Sequence, residues 1–229
     1  MREILVAALL FSASAAGAVG YSSSPGAPDP GVGPGETIID SFSTGMVGPA
    51  GIVYSGSYTV DALAIGGIRA APAGDATAYF ATPGSASPTP GTATIDFSGF
   101  ISANNALQSL SFYWGSIDGY NTLEVLDKVG NVIKTLVGSD ISPANGDQSL
   151  PATNRRLFLT FAPTDNFAAL RLTSTSRAFE IDDIAAKFDG GGGTGNTVPE
   201  PASWTLLISG FALVGFASRR QRRIATVSC

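Results

Sequence analysis

Short runs in which hydrophobic and polar side chains alternate occupy most of the chain. The clearest is the run in which Leu157, Leu159 and Phe161 share one parity, and in another Leu170 and Leu172 alternate with polar residues. A period of two is the pattern of β-strands with one buried face, whereas a sustained helical period occurs only near the two termini. The pattern predicts nine or ten strands, divided by glycine, proline, asparagine and aspartate: 38–42, 52–60, 77–81, 92–100, 107–117, 122–127, 132–137, 156–162, 168–175 and 179–188.

The spacing of these strands predicts one all-β domain over residues 36–189. Many short strands with polar turns between them are typical of a single antiparallel β-sandwich, here a jelly-roll-like one. The segment 127–131, Asp-Lys-Val-Gly-Asn between two apolar runs, predicts a hairpin turn. Trp114 has the same parity as Leu110 and Phe112, so we expect it in the core.

The last predicted strand contains a break in its alternation. Phe179 and Ile181 have one parity, whereas Ile184 and the apolar residues after it have the other. A β-bulge at Asp182 and Asp183 would account for the break. Adjacent carboxylates repel each other unless a cation or backbone donors compensate them, so these aspartates are also a candidate structural Ca²⁺ site, with a solvated bulge as the alternative.

The segments on either side of the predicted domain have different compositions. Residues 1–18 contain an apolar core and end in Ala-Gly-Ala, which is typical of a secretory signal peptide handled by the Sec translocon and signal peptidase. Residues 19–35 are rich in proline, glycine and serine without apolar periodicity, and we expect them to be flexible. Residues 190–197 are a glycine-rich linker.

Composition excludes several kinds of chemistry. The chain has no histidine and a single cysteine, Cys229, so it can form neither an internal disulfide, nor a Cys/His metal site, nor a Ser-His-Asp triad. Of its 18 acidic and 13 basic residues, removing Glu3 and Glu200 leaves 16, and removing Arg2 and four arginines near the C-terminus leaves eight. The body of the protein therefore carries about −8, which argues against nucleic acid and anionic lipid as partners.

The stretch 198–223 combines three features in a fixed order. Prolines at 199 and 201 keep the chain extended, because each fixes its own φ and restricts the residue before it. An apolar segment, 203–218, follows and is predicted to be a transmembrane helix. A cluster of arginines closes the stretch and predicts a cytoplasmic tail, 224–229. The residues concerned are Pro199, Glu200, Pro201, Trp204, Arg219, Arg220, Arg222 and Arg223.

This order of Pro-Glu-Pro, apolar helix and arginines resembles the PEP-CTERM sorting signal of Gram-negative bacteria, and the tryptophan three residues after the second proline resembles its PEPxxW subtype. The resemblance covers about the last 30 residues, and the tail after the arginines is longer than that family usually carries. It implies recognition by a membrane-embedded exosortase and cleavage near Pro-Glu-Pro. The protein would be anchored briefly in the inner membrane and then placed at the cell surface or outside the cell, often alongside exopolysaccharide. An uncut single-pass anchor is the alternative.

Within the predicted domain, a polar loop flanked by aromatic residues is the candidate ligand site. Tyr113 and Tyr120 are placed to stack on sugar rings, while Asp118 and Asn121 are suited to bind hydroxyl groups or Ca²⁺. The final strand, Ile-Asp-Asp-Ile, also resembles the last strand of many jelly-roll carbohydrate-binding modules, where an acid near this point binds structural Ca²⁺. The sequence favours a non-enzymatic exported protein. It leaves a carbohydrate-binding module and a secreted glycoside hydrolase, which needs paired acids in a cleft, as alternatives.

Overall fold

A computed structural model describes residues 19–45, 48–84, 90–104, 106–141 and 143–189. The chain divides into two compact units, Met1–Gly191 and Gly192–Cys229, of which the second lies outside the described residues. The strands of the described part are β1 Gly20–Pro25, β2 Thr37–Asp40, β3 Val53–Gly56, β4 Thr59–Asp61, β5 Tyr79–Thr82, β6 Gly91–Asp96, β7 Leu107–Gly115, β8 Asn121–Asp127, β9 Val132–Val137, β10 Arg155–Thr160, β11 Phe167–Ser174 and β12 Phe179–Phe188. Its two short α-helices are α1 Ser98–Ala103 and α2 Gly138–Ile141, and 3₁₀ turns cover Pro151–Thr153 and Pro163–Asp165.

The strands form two antiparallel sheets, as the alternation predicted. A seven-stranded sheet has the order β1-β10-β7-β12-β5-β4, with β2 pairing to β12 beside this path. A five-stranded sheet has the order β3-β6-β11-β8-β9. Most pairings are between strands distant in sequence, so the fold is held by long-range contacts rather than by consecutive hairpins.

The apolar core lies between the two sheets and contains the residues that the parity of the strands assigned to it. Leu110, Phe112 and Trp114 of β7 are all fully buried, so the prediction for Trp114 is confirmed. The Trp114 ring stacks on Phe179 of β12, with ring centroids 4.2 Å apart and planes 7° from parallel. Burial of aromatic surface of this kind is the main source of stability in a domain that has no disulfide.

Two predicted strand boundaries are wrong because the chain turns inside an apolar run. The run 52–60 divides into β3 and β4, which belong to different sheets, and Gly56 at the end of β3 has a φ of 89° that favours glycine. The run 92–100 ends as a strand at Asp96 and continues as α1, because the Asp96 carboxylate accepts a hydrogen bond from Ser98 N at 2.7 Å. Side-chain bonds of this type compete with the strand ladder.

The segment 19–35, predicted to be flexible, is instead part of the folded domain. Val19 is buried, and β1 pairs with β10 along its whole length, from Gly20 opposite Thr160 to Pro25 opposite Arg155. Strand pairing uses backbone groups, so a serine-rich sequence without apolar periodicity can still form an edge strand. Proline is tolerated on an edge strand because no second neighbour needs its missing N–H.

The predicted hairpin turn and bulge are both confirmed. The Asp127 carboxylate accepts hydrogen bonds from Val129 N and Asn131 N at 3.0 and 2.8 Å, which closes the turn between β8 and β9. In β12 the register against β7 shifts between Asp182 and Ala185, and Asp183 has a φ of 49°. The bulge lets Phe179, Ile181 and Ile184 all face the core, which a regular strand would not allow.

Candidate functional site

The outer face of the seven-stranded sheet carries a layer of buried polar side chains. Ser111, Tyr113, Arg156 and Asp182 lie on this face because they have the opposite parity to the core residues of their strands. Two segments cover them. Residues 26–36 pass over β10 and β7, where Glu36 accepts hydrogen bonds from Ser109 Oγ and Ser111 Oγ at 2.7 and 2.6 Å. Residues 70–77 pass over β7 and β12 and form the second cover.

Arg156 is the centre of this polar layer and is fully buried. Its Nε donates to Asp29 Oδ1 at 3.0 Å, and its Nη2 forms an ion pair with Asp29 Oδ2. Its Nη1 donates to Ser111 Oγ at 2.9 Å and to the carbonyl oxygen of Asp183 at 3.0 Å. One guanidinium therefore joins the N-terminal cover, β7 and the bulge in β12.

The structure does not gather Asp182 and Asp183 into a cation site. Asp182 is 1% exposed and its carboxyl is hydrogen-bonded to that of Asp75. Burial, together with the hydrogen bond and the charge of Asp75, raises the pKa of Asp182 to about 9. The carboxyl is therefore protonated at neutral pH, which is the wrong state for a Ca²⁺ ligand. The described residues contain no group of three or more acidic or cysteine side chains placed to hold a metal.

Two of the four predicted glycan-binding residues, Tyr113 and Asn121, are buried, although Asn121 lies beside Asp118 and its Oδ1 accepts a hydrogen bond from Asp118 N at 3.0 Å. Tyr113 is 1% exposed, and its hydroxyl lies 2.8 Å from the Gly26 carbonyl oxygen and 2.7 Å from that of Ala73, to which it can donate. Asn121 is fully buried, and its amide donates to Ser174 Oγ and to the Ala178 carbonyl oxygen. Neither side chain lies where a sugar could reach it. The covering segments bury Tyr113, whereas Asn121 begins β8 of the other sheet and has the parity of the core residues Leu123 and Val125.

Asp118 and Tyr120, by contrast, line a cavity of about 510 Å³ at one end of the same outer face. Glu180 and Ser116 also line it, as do the loop Ala64–Ala70, the loop that contains Asn145, Gly146 and Gln148, and the side chain of Arg177. The side chains that meet here come from β12, from the β7–β8 connection and from three separate loops.

The two acids of the cavity have unusual surroundings. Glu180 is 4% exposed, and its partners are distant, with Ala70 N at 3.4 Å and Ser116 Oγ at 3.5 Å. Burial raises the pKa of Glu180 well above its ordinary value. Asp118 accepts a hydrogen bond from the Tyr120 hydroxyl, and burial raises the pKa of Asp118 against the opposing effects of that bond and of Arg177. The cavity thus combines a buried acid whose pKa is raised, a second acid bonded to a tyrosine, and the guanidinium of Arg177, whose charge acts on both Asp118 and Tyr120.

Sequence reasoning found Asp118 and Tyr120 but missed Glu180 and Arg177. Glu180 stands between Phe179 and Ile181 in β12, so the alternation placed it on the outer face without showing that a loop would cover it. The weak local signal was an acid in the middle of an otherwise apolar strand. Arg177 lies in the turn before β12, and its position beside Asp118 depends on contacts that no local pattern predicts.

One family model matches the chain, described as the PEP-CTERM protein-sorting motif, and it covers residues 197–223. The described domain is mostly β-sheet and the chain carries a PEP-CTERM sorting motif, so the resemblance noted in its C-terminal stretch is confirmed. The matched residues include Pro199, Glu200, Pro201, Trp204 and the four arginines. The PEPxxW subtype stays a prediction. No curated protein matches the sequence.

A search of solved structures gives a match to the crystal structure of the enzymatically active domain of tailspike protein 4 of bacteriophage CBA120. The sequence identity is 11%, and the match covers 65% of this chain and 21% of the tailspike chain. The TM-score is 0.34, so the similarity supports no conclusion about fold or activity.

The remaining predictions for the chain ends lie outside the described residues. They are the signal peptide 1–18, the linker 190–197, the transmembrane helix 203–218, and the cytoplasmic tail 224–229. Among the helices that the structure describes, none is both long and apolar enough to cross a membrane.

Proposed function

We propose that this protein is an exported, non-enzymatic surface or extracellular-matrix protein that an exosortase anchors and processes through its C-terminal motif. The observation that carries the proposal is the PEP-CTERM match at 197–223, placed directly after a β-domain whose last described residue is Asp189. The β-domain is the delivered part of the molecule. Export through Sec, removal of the signal peptide and cleavage near Pro199–Pro201 are the steps of delivery.

The sandwich suits this role because a chain with a single cysteine forms no internal disulfide, and the domain is held by the apolar core between its sheets. The strand orders β5-β12-β7-β10 and β6-β11-β8-β9, contained in the two sheets, support a jelly roll built from two Greek keys. The additional strands β1 to β4 extend the sheets at their edges or pair beside the main path. A net charge of about −8 on the body favours solubility outside the cell.

Comparing the mass of the exported protein from strains with and without the exosortase tests the proposal. We expect a C-terminus that lies before Trp204 only in the strain that has the enzyme. Replacing both Pro199 and Pro201 by alanine removes the rigid extended segment and should abolish the processed form. The matched control is Pro163→Ala, a proline of the β-domain, which should leave processing unchanged. Recovery of the complete tail in both strains would reject the proposal.

A further inference from the structure

We propose that the cavity lined by Asp118, Glu180 and Arg177 binds a neutral saccharide, as one pyranose unit of a glycan chain or its end. This assigns a ligand class to the β-domain and does not depend on how the protein is sorted. Asp118 and Tyr120 are retained from the predicted glycan site, whereas Tyr113 and Asn121 are replaced by residues that reach the cavity from β12 and from the surrounding loops.

The cavity is large enough to hold a sugar ring. A volume of about 510 Å³ lies within the range of small-molecule sites in proteins. Its wall at residues 64–70 includes Gly66 and Gly67, and a Cβ placed on Gly66 would meet no other atom within 4 Å. Ile65, Ile68 and the ring of Tyr120 supply the apolar surface against which the C–H groups of a pyranose can pack.

The polar groups of the cavity match the chemistry of hydroxyl groups, which both donate and accept hydrogen bonds. Glu180 in its protonated state can do the same, and its nearest protein partners are at 3.4 and 3.5 Å, so much of its bonding capacity is unused. The Asp118 carboxylate is an acceptor, the Arg177 guanidinium a donor, and the amide of Gln148 has both kinds of group.

Other classes of ligand fit the same groups less well. A divalent cation requires several ionised oxygens, whereas burial raises the pKa of both acids of the cavity, and the described residues hold no cluster of three acids. An anionic polymer would meet Asp118 and a body that carries about −8. A purely apolar ligand would leave the buried carboxyl of Glu180 without a partner.

Titration calorimetry with the full-length chain in mild detergent tests the proposal. The probes are oligosaccharides of glucan and galactomannan, which are neutral, and of alginate, which is anionic. We expect saturable binding to at least one neutral probe and weaker or no binding to alginate. Glu180→Ala and Asp118→Asn should each weaken binding by about tenfold or more, because each removes a polar partner of the sugar.

The variant Glu180→Gln separates the proposed role from that of an ionised acid. Glutamine can donate and accept like the protonated carboxyl, so Glu180→Gln should retain affinity to within about threefold. Glu124→Ala is the matched control, since Glu124 lies in β8 of the other sheet and pairs with Arg171. Thermal unfolding of every variant separates a lost contact from a lost fold.

Three results would overturn the proposal. The first is the absence of binding to every neutral probe, or a preference for alginate. The second is binding that Glu180→Ala and Asp118→Asn leave unchanged. The third is the release of new reducing ends from a bound glycan that stops in Glu180→Gln, since this would make the two acids a hydrolytic pair.

Discussion

Replacing Arg156 by methionine is expected to lower the free energy of unfolding by about 3–5 kcal/mol, because removing one partner of a buried ion pair leaves the other uncompensated. Arg156 is fully buried, whereas the side chain of Asp29 is 18% exposed. Its guanidinium also donates to Ser111 Oγ and to the carbonyl oxygen of Asp183, so both acceptors lose a donor. Denaturant unfolding of the full-length protein in mild detergent, followed by near-ultraviolet circular dichroism, measures the change.

The ion pair between Arg171 and Glu124 provides the matched control. It has the same chemistry and an Nε–Oε2 distance of 2.6 Å, but its side chains are 35% and 22% exposed. Arg171→Met should therefore cost only about 0.2–1 kcal/mol. Equal costs for the two substitutions would show that burial does not decide the strength of the Arg156 pair.

A double-mutant cycle shows whether Asp29 acts through Arg156. Asp29→Ala alone leaves a buried guanidinium without the carboxylate that it pairs with, while the double variant removes both members of the pair. We expect the double variant to be more stable than the sum of the single changes predicts. Additive costs would mean that Asp29 holds the N-terminal cover independently of Arg156.

The sequence predicts which face of each strand points into the core, because the alternation of apolar and polar residues is a local pattern. Leu110, Phe112 and Trp114 on β7 have the parity that their burial requires, and the slip between Ile181 and Ile184 predicted the bulge. Parity needs no knowledge of the partner strand, since each strand shows by itself which face is apolar.

The outer face could not be predicted in the same way. Alternation marks Tyr113, Arg156 and Glu180 as polar positions, and a polar face is normally assumed to be solvated. Here the segments 26–36 and 70–77 cover it, through bonds such as that between Arg156 and Asp29, which are 127 positions apart in the chain. The sequence predicted that residues 19–35 are flexible and that Tyr113 is exposed. Both predictions failed for the same reason, because a polar interface leaves no pattern of apolar residues in the sequence.

The stability of the protein should depend on pH because of Asp182, which lies in this covered polar face. Burial and Asp75 raise the pKa of Asp182 in the folded protein to about 9, against an ordinary value of 3.8. The folded state therefore keeps a proton that the unfolded chain releases, and stability falls as the pH rises from about 4 to about 9. The stabilising contribution of Asp182 is complete below the pKa that this residue has in the unfolded chain, and it is lost above the pKa that it has in the folded protein. Its slope is at most about 1.4 kcal/mol per pH unit.

Asp182→Asn should remove most of this dependence, because asparagine is neutral at every pH and can still donate to Asp75. The melting temperatures of variant and wild type should be close at pH 4 and separate in favour of the variant up to pH 9. A smaller slope should remain, since burial also raises the pKa of Glu180 and acts in the same direction. Asp127→Asn, at the exposed hairpin turn, is the control that should leave the wild-type slope in place from about pH 6 to 9, because the pKa of Asp127 is lowered from its ordinary value and the carboxyl is ionised throughout that range in both the folded and the unfolded chain. Parallel curves for Asp182→Asn and wild type would show that the buried carboxyl is already ionised at neutral pH, and that the cover over β12 tolerates its charge.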